Sequence, residues 1–320
     1  MTVGTYSNLM AQVEKLRRHA KQGSVQTRYR YMHAVDRFCR FVAEEYKLQK
    51  LANVKEKHIV AYAKRLQETG KSAGYVKTEL SGIRYFCHEL GVEVVTNEEI
   101  GALLGKKLER RRFGEVPRAW SDSEVENALK WARLEGKEDL VLIIKLARVL
   151  GLRIHETIRL RQGQVQQALA EGYLTIKGKG GLVREVPLTG KARTALKAAL
   201  GWAQQERLFV RSNEKAHQVQ KRVENWIYNR RSEFTEGETK LTYHGLRHTY
   251  AQERYAYHLR RLDGNEKWAR LAVAEELGHG RDAVTRIYLA GYKAKVVDGG
   301  TGRRVHLKRE REESDDERRE

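Results

Sequence analysis

At 320 residues the chain suits about two domains on a prior of roughly 150 residues each, and mini-protein folds are excluded. It carries 62 Lys and Arg against 42 Asp and Glu, a formal net charge of +20, while 40% of its residues are hydrophobic, so it can build a core and presents a surface suited to a polyanion. Only Cys39 and Cys87 occur, which excludes a disulfide framework and a cysteine-ligated zinc site. No apolar run approaches the ~20 residues that cross a bilayer, and the N-terminus lacks the layout of a secretory signal. The expectation is a soluble cytoplasmic protein with no membrane partner.

The charge excess is +10 over residues 1–118, +11 over 119–296 and −1 over 297–320, so a nucleic acid is expected to touch both halves. Charge alone leaves DNA, RNA and anionic lipid open, beside a merely soluble basic surface.

The first hundred residues read as helices. Ser24 is a plausible N-cap for a stripe of Tyr31, Val35, Phe38 and Val42, and a shorter pattern runs through Ile59, Tyr62 and Leu66. Ser72 caps a third helix with Val76, Leu80, Ile83, Cys87 and Leu90 on one face and Gly91 past its end. Off that stripe, Lys71, Lys77 and Arg84 lie along a phosphate backbone or are simply solvated. Residues 105–118, GKKLERRRFGEVPR, lack an apolar stripe and read as a basic interdomain linker. Its Lys106, Lys107, Arg110, Arg111 and Arg112 can cross DNA or only keep it soluble.

Beyond the linker, Ser121 and Glu124 form a capping box that opens a helix with Val125, Leu129 and Ala132 inward. DLVLIIKLARVLG, 139–151, is a buried helix by its density of Leu, Ile and Val. YLTIKGKGGLVREVPL alternates about a Gly-rich centre and reads as a β-hairpin ending at Pro187, after which helical patterns resume to about 290. The end, 297–320, is a mixed-charge tail suited to disorder or a marginal helix. The boundaries are thus a helical domain 1–104, a linker 105–118, a second domain 119–296 and a tail 297–320.

GKGG at 178–181 has neither the spacing nor the strand-to-helix context of a P-loop, and no HExxH, EF-hand loop or clear carboxylate cluster for two-metal chemistry is present. Metal-free phosphodiester transfer requires a protein nucleophile, cations on the non-bridging oxygens and an acid for the leaving alkoxide. The chain contains candidates for each. In GLRIHE, Glu156 stands three after Arg153 and can fix its fork toward a phosphate; in HGLRH, His244 and Arg247 share a helix face. His279 precedes Tyr288 by nine residues, and Lys179 sits at the hairpin tip. Taken singly, each residue has an ordinary surface or core reading.

Taken in order, Arg153 in GLRIHE, Lys179 in GKGGLVREVPL, HGLRH at 244–248, LGH at 277–279 and Tyr288 resemble the tyrosine recombinase (phage integrase) family over residues 119 to about 292. The helical region and linker before them are similar to that family's SAM-like core-binding domain. The resemblance implies a mainly α fold with a small β-hairpin: a SAM-like core-binding domain plus an α+β catalytic domain.

It also implies roles. Tyr288 attacks the scissile phosphate to give a 3′-phosphotyrosyl link and a free 5′-hydroxyl. Arg153 and Arg247 bind the non-bridging oxygens, Lys179 protonates the leaving 5′-oxygen, His244 assists near Tyr288, and His279 bonds a non-bridging oxygen. Glu156 holds Arg153, and His248 supports the Arg247 helix. Lys177 remains the alternative to Lys179, and Tyr292 the alternative nucleophile. The implied partners are double-stranded DNA, a homo-tetramer on paired recombination sites and, as an open question, an accessory directionality factor, with no metal and no cofactor. Integration or excision of a mobile element leads a Xer-type dimer resolvase, a DNA invertase, a type IB topoisomerase-like enzyme and a non-catalytic DNA-binding protein.

Overall fold

The apolar stripes collect into two cores. The computed structural model describes residues 3–17, 24–109, 114, 116–178, 181–279 and 281–292, and the chain divides into two compact units, Met1–Arg112 and Phe113–Glu320. Among the described residues the fold is mostly helical with one two-stranded antiparallel sheet.

The first unit is built from α1 (Val3–Arg17), α2 (Val25–Tyr46), α3 (Glu56–Glu68), α4 (Ala73–Glu89) and α5 (Asn97–Leu103). Ser24 and Ser72 cap α2 and α4 by accepting from the backbone N–H of Thr27 and Tyr75. Leu9 and Val13 meet Val35, Phe38, Val42, Ile59, Leu80 and Ile83 in its core, each large side chain contributing about 1.5–3 kcal/mol by burial. Gly82 lets α4 close on α2, since a Cβ there would stand 2.9 Å from the Ala34 Cβ. Glu79 is buried and is satisfied by Arg37 at 2.9 and 2.6 Å and by the Tyr62 hydroxyl at 3.0 Å. The helices α1 and α5 were not separately legible in the sequence; α5 is short, although Thr96 and Glu99 form a full capping box at its start.

Two described points of the basic 105–118 segment, Leu108 and Gly114, make close contacts. Leu108 is buried in the first unit's core, while a Cβ on Gly114 would lie 3.3 Å from the Ile287 Cα. Arg110, Arg111 and Arg112 fall outside the described residues, as does the tail from 293 onward.

The second unit runs α6 (Asp122–Leu134), α7 (Glu138–Leu150), α8 (Ile154–Ile158), α9 (Gln162–Glu171), β1 (Tyr173–Lys177), β2 (Val183–Pro187), α10 (Gly190–Trp202), α11 (Ala216–Arg230), α12 (Tyr243–Arg261), α13 (Glu266–Leu277) and α14 (Asp282–Tyr288). Ser121 and Glu124 make both bonds of the capping box at α6. The helix α7 is buried on almost every side, from Leu140 to Leu150, and packs against α6, α10 and α12. Gly151 ends it at φ 59°, and a Cβ there would strike the Tyr250 ring at 2.3 Å, so only glycine allows α12 this close. In the hairpin, Leu174 pairs with Val186 and Ile176 with Arg184, all four facing the core while Thr175 and Glu185 face out.

Candidate active site

The end of α7, the start of α8, the hairpin, α12 and the α13–α14 turn converge. Arg153 follows Gly151 and Leu152; its backbone N–H donates to Glu156 Oε2 at 2.8 Å and its Nη1 to Glu156 Oε1 at 2.9 Å. The spacing of three therefore makes a capping contact and an ion pair at once, leaving the Arg153 side chain 26% exposed.

Glu156 has a second partner that the motif did not announce. Arg184 on β2 donates Nη1 and Nη2 to its two carboxylate oxygens at 2.9 and 2.7 Å, and Nε to the carbonyl of Glu276 at 3.0 Å. Burial would raise the Glu156 pKa, but the hydrogen bonds and charge of Arg184, joined by Arg153, hold it at about 2. The available signal was alternation: in VREVP, Arg184 shares the inward face with Val186.

Arg247 is fully buried on the first turns of α12. Its terminal nitrogens donate to the carbonyls of Gly151 and Leu277, and Nη2 stands 3.3 Å from His279 Nε2. Its Nε has no hydrogen-bond partner. These partners are carbonyls and an imidazole, not a carboxylate, so burial and the nearby Arg153 and Arg184 charges lower its pKa to about 10. A buried cation held by neutral groups is a seat for an anion.

Tyr288 ends α14 and is 6% exposed. Three imidazoles surround its ring, with centroids at 4.5 Å (His248), 5.1 Å (His279) and 5.5 Å (His244). Its hydroxyl lies 3.4 Å from His279 Nε2, and the Arg247 guanidinium 5.7 Å from its ring centre. Desolvation and the surrounding arginines lower His244 and His248 to about 4 and His279 to about 3, so all three are neutral at pH 7 without a ligand. The Nδ1 atoms of His248 and His279 are buried without partners.

Arg153, Glu156, His244, Arg247, His248, His279 and Tyr288 thus come together. Lys179 lies outside the described residues. The preceding Gly178 borders the cluster, since a Cβ on it would be 3.8 Å from Arg153 Nη1 and 3.6 Å from Arg184 Nη1. Lys177 ends β1 on its exposed face. Tyr292 packs edge-on against Tyr255 at 6.2 Å. Arg153 and His244 also open onto a cleft lined by Ile154, Tyr228, Arg231 and Thr242.

In the first unit, Lys71, Lys77 and Lys106 line one cleft with Gln67, Ser72 and Glu109, and Lys107 is exposed. Arg84 is turned inward, with Nε on the Val95 carbonyl at 2.6 Å and Nη2 on Asn97 Oδ1 at 2.9 Å. Among the described residues, no group of three or more His, Cys, Asp or Glu is placed to hold a metal ion, and no helix is long and apolar enough to cross a membrane.

A two-unit helical chain whose second unit sets a tyrosine among arginines and histidines defines the class, and comparison with known proteins agrees. Residues 121–295 match the phage integrase family and residues 6–95 match the N-terminal phage integrase domain. The chain belongs to the phage integrase family, the tyrosine recombinases, enzymes that cleave and rejoin DNA in site-specific recombination. The tyrosine recombinase XerC of Erythrobacter litoralis (strain HTCC2594) is 28% identical over 229 residues, covering 69% of this chain and 70% of that protein. The XerC of Chromobacterium violaceum is 32% identical over 199 residues, covering 58% and 60%. In fold, the chain is similar to a lambda integrase dimer bound to a COC′ core site, with a TM-score of 0.61, 16% identity and coverage of 94% and 99%. A lambda integrase tetramer bound to a Holliday junction gives a TM-score of 0.63 at 17% identity, covering 91% and 80%.

Proposed function

We propose that this recombinase cuts double-stranded DNA by attack of Tyr288 on a phosphodiester. The Tyr288 oxygen forms the new bond to phosphorus, the bond to the 5′-oxygen breaks, and the products are a 3′-phosphotyrosyl link and a 5′-hydroxyl. Arg153 and Arg247 hold the non-bridging oxygens and stabilise the charge of the pentacoordinate transition state, and His279 bonds one of them. His244, its ring centre 5.5 Å from that of Tyr288, acts as acid or base for the tyrosine proton, and Lys179 protonates the leaving oxygen. His248 packs on the Tyr288 ring and supports Arg247. Because the phosphotyrosine conserves the bond energy, a 5′-hydroxyl from a partner strand reverses the step, which is strand exchange.

The observation that carries this reading is the buried Arg247, held by carbonyls, beside the Tyr288 hydroxyl and the more accessible Arg153. Together they make a cationic seat next to a nucleophile.

The working assembly is a homo-tetramer on paired sites, supported by the fold shared with a lambda integrase tetramer bound to a Holliday junction. Both units contact the DNA, and the need for an accessory directionality factor stays an open question. Integration or excision of a mobile element is the leading biological role. The XerC relatives favour a second reading, a Xer-type resolvase of chromosome dimers. The test is mass spectrometry of the product trapped on a nicked suicide substrate from the source's own attachment region. A 3′-phosphate on Tyr288 is the expected adduct; an adduct on Tyr292, or tight binding with no adduct, overturns the assignment.

A further inference from the structure

A buried carboxylate that the proposed reaction does not use lies directly behind the arginines. Glu276, on the last turn of α13, is 7% exposed and accepts from three side chains spaced four apart along α12. The Tyr250 hydroxyl donates at 2.8 Å, Arg254 donates through Nε at 2.8 Å and Nη2 at 2.6 Å, and His258 Nε2 lies at 2.9 Å. Burial opposes its ionisation, but His258, Arg254 and Tyr250 hold its pKa below the usual carboxylate range, so it is charged at neutral pH.

The backbone around this carboxylate reaches the candidate site at each step. The carbonyl of Glu276 itself accepts from Arg184 Nε at 3.0 Å, and Arg184 fixes the Glu156 carboxylate on which Arg153 rests. The next carbonyl, of Leu277, accepts from Arg247 Nη2. Gly278 follows at φ 64°, with Arg184 Cδ 2.8 Å from where a Cβ would sit, and then comes His279, against Arg247 and Tyr288. A rotation of this one turn would displace an acceptor of Arg184, an acceptor of Arg247 and the imidazole beside the tyrosine hydroxyl together.

We propose that Glu276 is a positioning residue: anchored by Tyr250, Arg254 and His258, it locks the last turn of α13 so that consecutive carbonyls and His279 hold Arg184, Arg247 and Tyr288 in register. The proposal rests on the reading of Tyr288 and Arg247 as catalytic groups. Its geometric content, that Glu276 sets the two guanidinium positions, stands apart from that reading. Rigidity is the function at stake, since displacements on the order of 1 Å at a reacting group cost about 10²-fold in rate.

The experiment compares the full-length protein with Glu276→Gln, which keeps the shape and removes the charge, and with Glu276→Asp, which keeps the charge and shortens the reach. Leu129→Ala, a core truncation in α6, controls for lost stability. Three quantities are read: affinity for the attachment-region duplex, the single-turnover rate of the Tyr288 adduct, and the NMR signals of the Arg184 and Arg247 Nε–Hε groups in the free protein. The expected result for Glu276→Gln is a rate lower by about 10–100-fold, an affinity within about twofold, and shifted or exchange-broadened signals for both arginines. Glu276→Asp should recover part of the rate, and Leu129→Ala should keep both rate and signals. Unchanged arginine signals in Glu276→Gln overturn the proposal whatever the rate does, as does a rate loss matched by Leu129→Ala. If the wild type forms no Tyr288 adduct, the catalytic reading fails, and the arginine signals alone decide whether Glu276 sets their geometry.

Discussion

Arg184 grips Glu156 through both terminal nitrogens, at 2.9 and 2.7 Å, and so fixes the same carboxylate that holds Arg153 at 2.9 Å. The side chains of this pair are only 5% and 1% exposed. Removing one partner of a buried pair strands the other charge, at a cost of about 3–5 kcal/mol. Arg184→Ala is therefore expected to lose stability on that scale in urea denaturation and to slow adduct formation, because Glu156 is then free to pull Arg153 inward. A loss below about 1 kcal/mol would show that Glu156 is held adequately by Arg153 alone.

Tyr288→Phe removes one oxygen and keeps the ring that packs among His244, His248 and His279. The fold and the DNA affinity should be nearly unchanged, while covalent attachment disappears. A gel that still shows protein-linked DNA would transfer the nucleophile to another tyrosine.

Much of this architecture could be read locally, and the unread parts share a cause. The Ser121–Glu124 box, the stripe of α2 and the GLRIHE spacing are encoded within a few residues, so their contacts are implied by helix geometry. Arg184 acts through partners 28 and 92 residues away and the Glu276 carboxylate through side chains 18, 22 and 26 residues away, and nothing within VREVP or EELGH states which distant group each meets. Arg84 shows the converse. It lies off the apolar stripe of α4 and reads either as a phosphate ligand or as a solvated cation, but its length lets it fold back to the segment before α5, where Val95 offers a carbonyl. The sequence shows a cation there and is silent on where its fork ends.

The neutral histidines set the acid response. His248 has a pKa of about 4 against an ordinary 6.5 and is 2% exposed. Between these values the unfolded chain binds a proton that the folded chain does not, so its contribution to stability is complete above pH 6.5 and is lost as pH falls toward 4. His279, at about 3, acts in the same direction, and Glu156, at about 2 against 4.5, adds a loss at still lower pH. Within such a window each group contributes a slope of up to about 1.4 kcal/mol per pH unit. Denaturation free energies at pH 7, 6 and 5 should decline, and His248→Gln should flatten the decline by about one such slope. Stability that rises on acidification, or an unaltered slope in the variant, would contradict neutral burial of His248.

Salt dependence separates cations free to meet DNA from those spent inside the protein. Lys71, Lys77 and Lys106 line a common cleft of the first unit, and each phosphate they neutralise adds about 0.9 to the slope of log K against log salt. Alanine at any one of them should weaken binding to all duplexes alike and reduce that slope by about one, with little change in stability. Arg84→Ala should behave oppositely. Its guanidinium already serves Val95 and Asn97, so its removal should leave the slope unchanged and lower the stability of the first unit by about 1 kcal/mol through lost hydrogen bonds to half-buried groups. Titrations at several salt concentrations, with a melting curve for each variant, distinguish the two behaviours. A slope that falls for Arg84→Ala as it does for the lysines would mean that this guanidinium swings out to the phosphate backbone when DNA binds.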